Sequence, residues 1–255
     1  MFWCPYAATA IPHHPVARTT PTQEGHPNLC DNRRVSTNLI QTIAVYILPV
    51  LFAITAHEAA HGFVAKKLGD NTAAMLGRVT FNPFKHIDPV GTIAIPLVLA
   101  ILTKGMFLFG YAKPVPVRFD RLKNPRRDMV WVALAGPLCN LAQALIWSVL
   151  AYLLWGLGVQ EPFFLDMCRA GRVVNVLLFA FNLFPLPPLD GGRVLVGLLP
   201  LRPALALSRL ERWGFFIVMI LAVTGIIAPI WMGPLMHLTN VVLNTILFPL
   251  RTWLT

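Results

Sequence analysis

Between Thr37 and Val64 the chain carries no ionisable side chain except Tyr46, His57, Glu58 and His61. At about 1.5 Å per residue, a helix over that stretch is long enough to cross about 30 Å of hydrocarbon. Its polar groups must then be explained, because each ionisable group at the centre of a membrane helix costs roughly 2.5 to 3.5 kcal/mol on insertion scales. His57-Glu58-Ala59-Ala60-His61 concentrates all of them but Tyr46 in one short cluster. Two buried histidines and a structural glutamate would leave that cost uncompensated, whereas a metal ion compensates it. Histidines at i and i+4 project from one helical face, which suits two nitrogen ligands on one zinc ion. In the HExxH pattern the glutamate stands beside the metal as general base for water attacking a carbonyl carbon. The stretch therefore predicts a membrane span with a metal cluster near its C-terminal end. Lys66-Lys67-Leu68-Gly69 closes it, with cations in the last turn and glycine beyond.

Composition places the rest of the chain in the same environment. Of 255 residues, 56% are hydrophobic and only 13% charged, and mean hydropathy is positive, outside the range of ordinary soluble domains. An α-helical polytopic membrane protein is expected, with about five to six transmembrane segments. The formal charge of +10 raises nucleic acid as a partner. Its basic residues, however, sit in loops between apolar runs, where the lipid bilayer and the positive-inside rule account for them. Cys4, Cys30, Cys139 and Cys168 show no CxxC spacing, so neither a structural zinc site nor a disulfide framework is indicated.

Taken in order, residues 1–36 are rich in Pro, Thr, His and Asn and read as a disordered N-terminal tail. They lack the compact apolar core and cleavage site of a signal peptide. The membrane core is expected over 37–199, followed by C-terminal transmembrane segments over 200–255. Arg78-Val79-Thr80-Phe81-Asn82-Pro83 reads as a short strand leading to a turn. The run from Val90 to Tyr111, interrupted at Lys104-Gly105, is either one span or a re-entrant hairpin. Pro114 and Pro116 follow it, opposing helix and leaving backbone groups such as those of Val115 free to pair with a peptide strand. A basic loop with Arg118, Arg121, Lys123, Arg126 and Arg127 precedes a long span over about 129–157. Its Ala135-Gly136-Pro137-Leu138-Cys139-Asn140 offers small residues for close helix approach. Asn140 suits a hydrogen bond between helices better than a place in the active site, although both remain open.

The apolar run 171–199 is interrupted by Asn182-Leu183-Phe184-Pro185-Leu186-Pro187-Pro188-Leu189-Asp190-Gly191-Gly192. Its prolines forbid regular helix, and backbone freed at membrane depth needs protein or water beside it. Asp190 next to that break is the candidate third ligand. An aspartate before Gly-Gly is also common turn chemistry, but within an apolar run the ligand reading is favoured. Elimination points the same way: Lys67 stands where metzincins have histidine, and no glutamate lies between Glu58 and Glu161. Glu161 and Asp166 read as connector charges, as do Glu211 and the arginines beside it. Two more apolar segments, about 213–232 and 235–250, are expected on either side of Gly233-Pro234, with His237 in an interfacial or packing role.

HExxH in one apolar helix, Asn-x-x-Pro-x-Pro-x-x-Asp-Gly-Gly in a later one, an intervening Gly-Pro-x-x-Asn and Gly110-Tyr111-Ala112-Lys113-Pro114-Val115-Pro116-Val117 together resemble the site-2 protease family of intramembrane zinc metalloproteases. The last motif is similar to that of shorter bacterial members. The resemblance implies one zinc held by His57, His61 and Asp190, with Glu58 as base. It further implies Asn182 in contact with substrate backbone, and Asn140 is the other candidate for substrate binding. The implied partner is a transmembrane protein substrate, cleaved within or near its membrane helix. The implied location is a bacterial cell membrane, with the active site toward the cytoplasm. No inserted PDZ-type domain separates the motifs. Combining that orientation with the basic loops favours the re-entrant reading of 90–111. The alternatives are a membrane zinc carrier, which would need ligands at several depths, and a catalytically silent scaffold, which would have lost one of the four groups.

Overall fold

The computed structural model describes residues 31–95, 98, 101 and 113–254. Among these residues the structure is entirely helical. The chain divides into two units, one ending at Ala44 and one from Val45 onward. The first contributes the opening turns of α1 (Asp31–Lys67). Residues 31–36, assigned to the tail by composition, are thus helical, and the remainder of the tail lies outside the described residues.

The second unit holds the rest of α1 together with α2 (Pro125–Gly156), α3 (Pro162–Asn182), α4 (Asp190–Leu198), α5 (Leu201–Arg209), α6 (Glu211–Val223) and α7 (Gly233–Leu254). Among the described residues, three helices are long and apolar enough to cross a membrane: Ile40–Lys67, Pro125–Gly156 and Ala228–Thr252. Large apolar side chains on them remain exposed, among them Ile47, Phe52, Ile146 and Ile246. A soluble bundle would cover such side chains; in lipid they face their solvent. The helix α2 is central, packing most extensively on α3 and α4 and also on α7. The core is accordingly divided. One cluster, Ala144, Val176 and Leu243, joins α2, α3 and α7. Another, Ala65, Leu122 and Val132, ties the end of α1 to α2 and to the segment before it.

Helix ends follow local chemistry. After α1, Gly69 takes φ 118°, the left-handed stop anticipated from its position. Proline at the first turn opens α2 and α3, where no intrahelical donor is needed. At the start of α2 the buried Asp128 accepts the Asn124 N–H at 2.8 Å.

Some elements depart from the sequence reading. Residues 78–82 hold no strand, with bends at 79–81, and a single 3₁₀ turn follows at Pro83–Lys85. A strand needs a partner ladder, and here side chains satisfy the backbone locally. The Asn82 N–H donates to Thr80 Oγ1 at 3.1 Å, the Phe84 N–H donates to Asn82 Oδ1 at 3.1 Å, and Arg78 donates to the Lys85 carbonyl. Asp166, expected in a connector, lies inside α3 and pairs with Arg169 at 2.8 Å. Gly233-Pro234 does not separate the last apolar segments but opens α7, as a proline can. The break falls earlier, where Gly225 at φ 72° ends α6. Of the expected hairpin over 90–111, only 90–95, 98 and 101 are described. Pro89–Ala94 is a wide helical turn capped by Asp88, which accepts from the N–H groups of Val90 and Gly91; the hairpin itself lies outside the described residues.

Candidate metal centre

His57 and His61 occupy successive turns on one face of α1, and Asp190 opens α4; all of them are buried, at 7 to 9% exposure. Two local devices bring these elements together. The first is Gly136 on α2, where an added Cβ would lie 2.3 Å from His61 Nε2 and 2.6 Å from His57 Nε2. Only glycine lets the α2 backbone pass this close to the imidazoles. The second is the proline-rich return between α3 and α4. Chain 183–189 turns sharply, and a Cβ at Gly191 would sit 2.1 Å from the Leu183 carbonyl oxygen, one at Gly192 2.0 Å from the Pro187 nitrogen. The Gly-Gly pair thus allows Asp190 to start a new helix directly against its own loop.

The hydrogen bonds around the imidazoles define their protonation pattern. His57 Nδ1 lies 2.5 Å from Asn140 Oδ1, and His61 Nδ1 lies 2.6 Å from the Val132 carbonyl oxygen. The Asn140 amide is oriented by its own Nδ2, which donates to Ala53 O at 3.2 Å and Asn175 Oδ1 at 2.9 Å. Asn175 in turn donates to the Gly171 carbonyl at 2.8 Å. Both histidine contacts are with acceptors, so both Nδ1 atoms carry a proton, which leaves Nε2 as the ligand position of each imidazole when it is neutral.

Those ligand positions converge. His57 Nε2 and His61 Nε2 are 3.0 Å apart, and Asp190 Oδ2 is 3.2 Å from the first and 3.3 Å from the second. With both imidazoles neutral, no proton is available between these atoms, and Asp190 Oδ2 is a buried oxygen without a hydrogen-bond partner. Tetrahedral zinc with bonds of about 2.0–2.1 Å separates its ligands by about 3.3 Å, close to this spacing. His57, His61 and Asp190 could hold one metal ion.

Glu58 lies beside this group, half-buried, and its Oε2 accepts the Val115 N–H at 2.7 Å. Val115 was expected to keep its backbone free; its N–H is instead taken by Glu58. The segment around it is fixed at both ends, since Lys113 N–H donates to the His86 carbonyl at 2.9 Å and Arg118 N–H donates to Asp70 Oδ2 at 2.7 Å. The carboxyl of Asp70, beyond the end of α1, titrates below its ordinary value of 3.8. Burial alone would raise it, but hydrogen bonds from the Thr72 hydroxyl, the Arg118 N–H and the Thr72 N–H, with the charge of Arg121, outweigh burial.

The other nominated residues are placed as follows. Asn140 is fully buried and its amide is engaged on every side just described. Asn182 ends α3, half-buried, and its Nδ2 donates to the Leu178 carbonyl at 3.0 Å. Glu211 pairs with Arg193 at 3.2 Å and is not one of the grouped residues that could hold a metal. Sequence reading missed Asn175, Val132 and Asp70. Asn175 carried a signal, an amide inside the apolar run Val173-Val174-Asn175-Val176; the carbonyl of Val132 carried none.

No family model matches the chain, and no solved structure is significantly similar to it. Among curated proteins it is 38% identical over 187 residues to "Putative zinc metalloprotease YwhC" of Bacillus subtilis, covering 70% of this chain and 80% of that protein. It is 30% identical over 185 residues to "Putative zinc metalloprotease Rip2" of Mycolicibacterium smegmatis, covering 71% of this chain and 69% of that protein.

Proposed function

The chain belongs to the site-2 protease family of zinc metalloproteases, and from that premise we propose that it hydrolyses peptide bonds within or near the transmembrane helices of protein substrates. The observation that carries this reading is the meeting of three potential ligand atoms, from His57, His61 and Asp190, beside Glu58 at the end of an apolar helix. His57, His61 and Asp190 are the zinc ligands. Bound there, zinc would polarise the substrate carbonyl and acidify water at neutral pH. Glu58 is the base: its carboxylate takes the proton of the attacking water and delivers it to the departing amine. Asn140 acts through His57, fixing the ring and its tautomer, and does not touch substrate. Asn182 is the residue nominated to hold substrate backbone.

The segment Lys113–Arg118 supplies an extended edge next to Glu58. A helical peptide bond is shielded by its own turns, so a substrate must unwind locally, and an edge with proline at alternate positions suits a single extended strand. Because Val115 N–H rests on Glu58, a substrate carbonyl that captures this donor also frees the base. The site faces the cytoplasm of a bacterial cell membrane, and the hairpin over 90–111 enters and returns on that side.

A metal carrier is disfavoured, since a pathway needs ligands at several depths and the described residues present one such group. A silent scaffold is disfavoured because none of the four groups is replaced. The test compares membrane proteomes of cells expressing the intact chain or Glu58→Gln. Helical stubs that accumulate only with the intact chain are expected. Identical stub profiles, with zinc retained in both proteins, would remove the protease reading.

A further inference from the structure

The stretch that follows α1 presents large apolar side chains outward. Met75 and Leu76 are 71% and 62% exposed, and Phe81 and Phe84 are 70% and 80% exposed. Met75 ends a single helical turn, Thr72–Met75, Phe84 sits in the 3₁₀ turn Pro83–Lys85, and the bends between them carry Phe81. Exposed apolar residues scattered singly need no explanation, but these lie together and mark a surface that meets something other than water. The depth of the loop is set by its contacts. A Cβ on Gly62 would lie 2.9 Å from Val79 Cγ2 and 3.0 Å from Val115 Cγ1, so the loop folds back and packs Val79 on α1 before the helix ends at Lys67. From Gly62 to Lys67 the helix rises about 7.5 Å. The His86 carbonyl takes the Lys113 N–H at 2.9 Å, which fastens the far end of the loop to the same layer. The loop therefore lies level with the last turns of an apolar span, the zone where aromatic side chains collect at a bilayer surface.

Charge selects the kind of surface. From residue 66 to residue 88 the cations are Lys66, Lys67, Arg78 and Lys85, and the carboxylates are Asp70 and Asp88. Both carboxylates are committed to backbone: Asp70 accepts from the Thr72 and Arg118 N–H groups, and Asp88 from those of Val90 and Gly91. Lys66, Lys67 and Lys85 are exposed. Long cationic side chains can lay their stems on apolar surface while their charged heads reach outward. Aromatic and aliphatic groups at interfacial depth, with positive charge around them, match the anionic phospholipid surface of the leaflet in which α1 ends.

We propose that residues 75–85 are an interfacial anchor: Met75, Leu76, Phe81 and Phe84 enter the boundary between headgroups and acyl chains, and the cations around them favour anionic phospholipid. The anchor rests on α1 as a membrane span and not on peptide hydrolysis. Because the same loop carries Val79 and His86, which contact residues 115 and 113, its hold on the leaflet braces the extended edge beside Glu58.

The test is spin-label accessibility in the full chain, zinc-loaded, with one copy per lipid nanodisc. With the native cysteines replaced, labels are placed singly through Phe81→Cys and Phe84→Cys. Ile47→Cys serves as the lipid reference and Asp120→Cys, at an exposed carboxylate, as the water reference. The discs contain phosphatidylcholine alone or mixed with phosphatidylglycerol of the same acyl chains. Labels at 81 and 84 should collide readily with oxygen and poorly with a neutral nickel chelate, as at 47, and the label at 120 should do the reverse. Phosphatidylglycerol should lower nickel access at 84 severalfold, and Lys66→Gln combined with Lys85→Gln should cancel that fall while zinc content stays unchanged. Nickel access at 81 and 84 equal to that at 120 places the loop in water and overturns the proposal. Low access to both reagents means that protein covers the patch, which also overturns it, as does nickel access at 84 that is indifferent to phosphatidylglycerol. Peptide cleavage enters none of these measurements, so the protease proposal stands or falls separately.

Discussion

At the scale of single residues, each ligand atom is available because another atom of its side chain, or its surroundings, is already committed. The Nδ1 protons of His57 and His61 are held by Asn140 and Val132, and Asp190 Oδ2 is left without a donor. Zinc content of purified protein should therefore collapse in Asp190→Ala and remain intact in Asp120→Ala, whose carboxylate is exposed beside Arg118. Asn140→Leu should weaken zinc about 10- to 100-fold in chelator competition, as loss of an orienting partner does; unchanged affinity would separate the amide from the tautomer. Asp70 gives a pH prediction. Its carboxyl is lowered on folding, so its stabilisation is complete above the unfolded value of about 3.9 and is lost as pH falls through the folded one. Thermal unfolding should show an acid decline that flattens in Asp70→Asn, with the variant about 1 to 3 kcal/mol less stable at neutral pH because the amide keeps one acceptor oxygen and sets its NH2 against the donors of the other. His57, His61 and Asp190, the group that could hold a metal ion, were legible because ionisable groups in apolar runs need a reason. The Val132 carbonyl was not, since every residue has one.

At the scale of elements, the decisive contact is α2 crossing α1 at Gly136. A methyl group there would overlap both imidazoles, so Gly136→Ala should lose zinc as fully as a ligand variant. It should also destabilise the fold by about 1 to 3 kcal/mol through overpacking. Zinc retained at full stoichiometry, by metal analysis, would show that the helices can separate without harm. The small residues at 135–136 announced a close approach, and the prolines at 185, 187 and 188 announced the helix break. What they could not announce was the partner: that Gly136 meets the histidines is a matter of how helices far apart in sequence are set. The expected strand at 78–83 failed for a related reason, because β-branched and aromatic residues become a strand only where another strand is present to pair with them. At Gly233-Pro234 the dipeptide suggested a gap that is not there, because helix runs on through it from Ala228 and the break falls earlier, near Gly225.

At the scale of the whole molecule, an all-helical membrane protein was legible from apolar run length alone, while the number of crossings was not. Length separates spans from short segments only when a helix is uninterrupted. The pair α3 and α4 is broken by its prolines and carries Asp166, Arg169 and Arg172, and it is not among the helices long and apolar enough to cross. Side-specific labelling addresses the remainder. With native cysteines removed, single cysteines at Lys104 and Arg121 should both resist a membrane-impermeant thiol reagent in intact cells, and Arg121 should label on lysis. Labelling of Lys104 from outside, with Arg121 protected, would mean that the stretch between them crosses the bilayer.

The hydrogen bond from Val115 to Glu58 is made by main chain. Any amino acid but proline can supply it, so substitution at position 115 among small apolar side chains should leave the contact with Glu58, the proposed base, undisturbed. The constraint is then the avoidance of one residue, between two positions, 114 and 116, that already hold it. A catalogue of invariant side chains would pass over this position. A saturation library, in which proline alone is depleted among residues that fit the space, would reveal it.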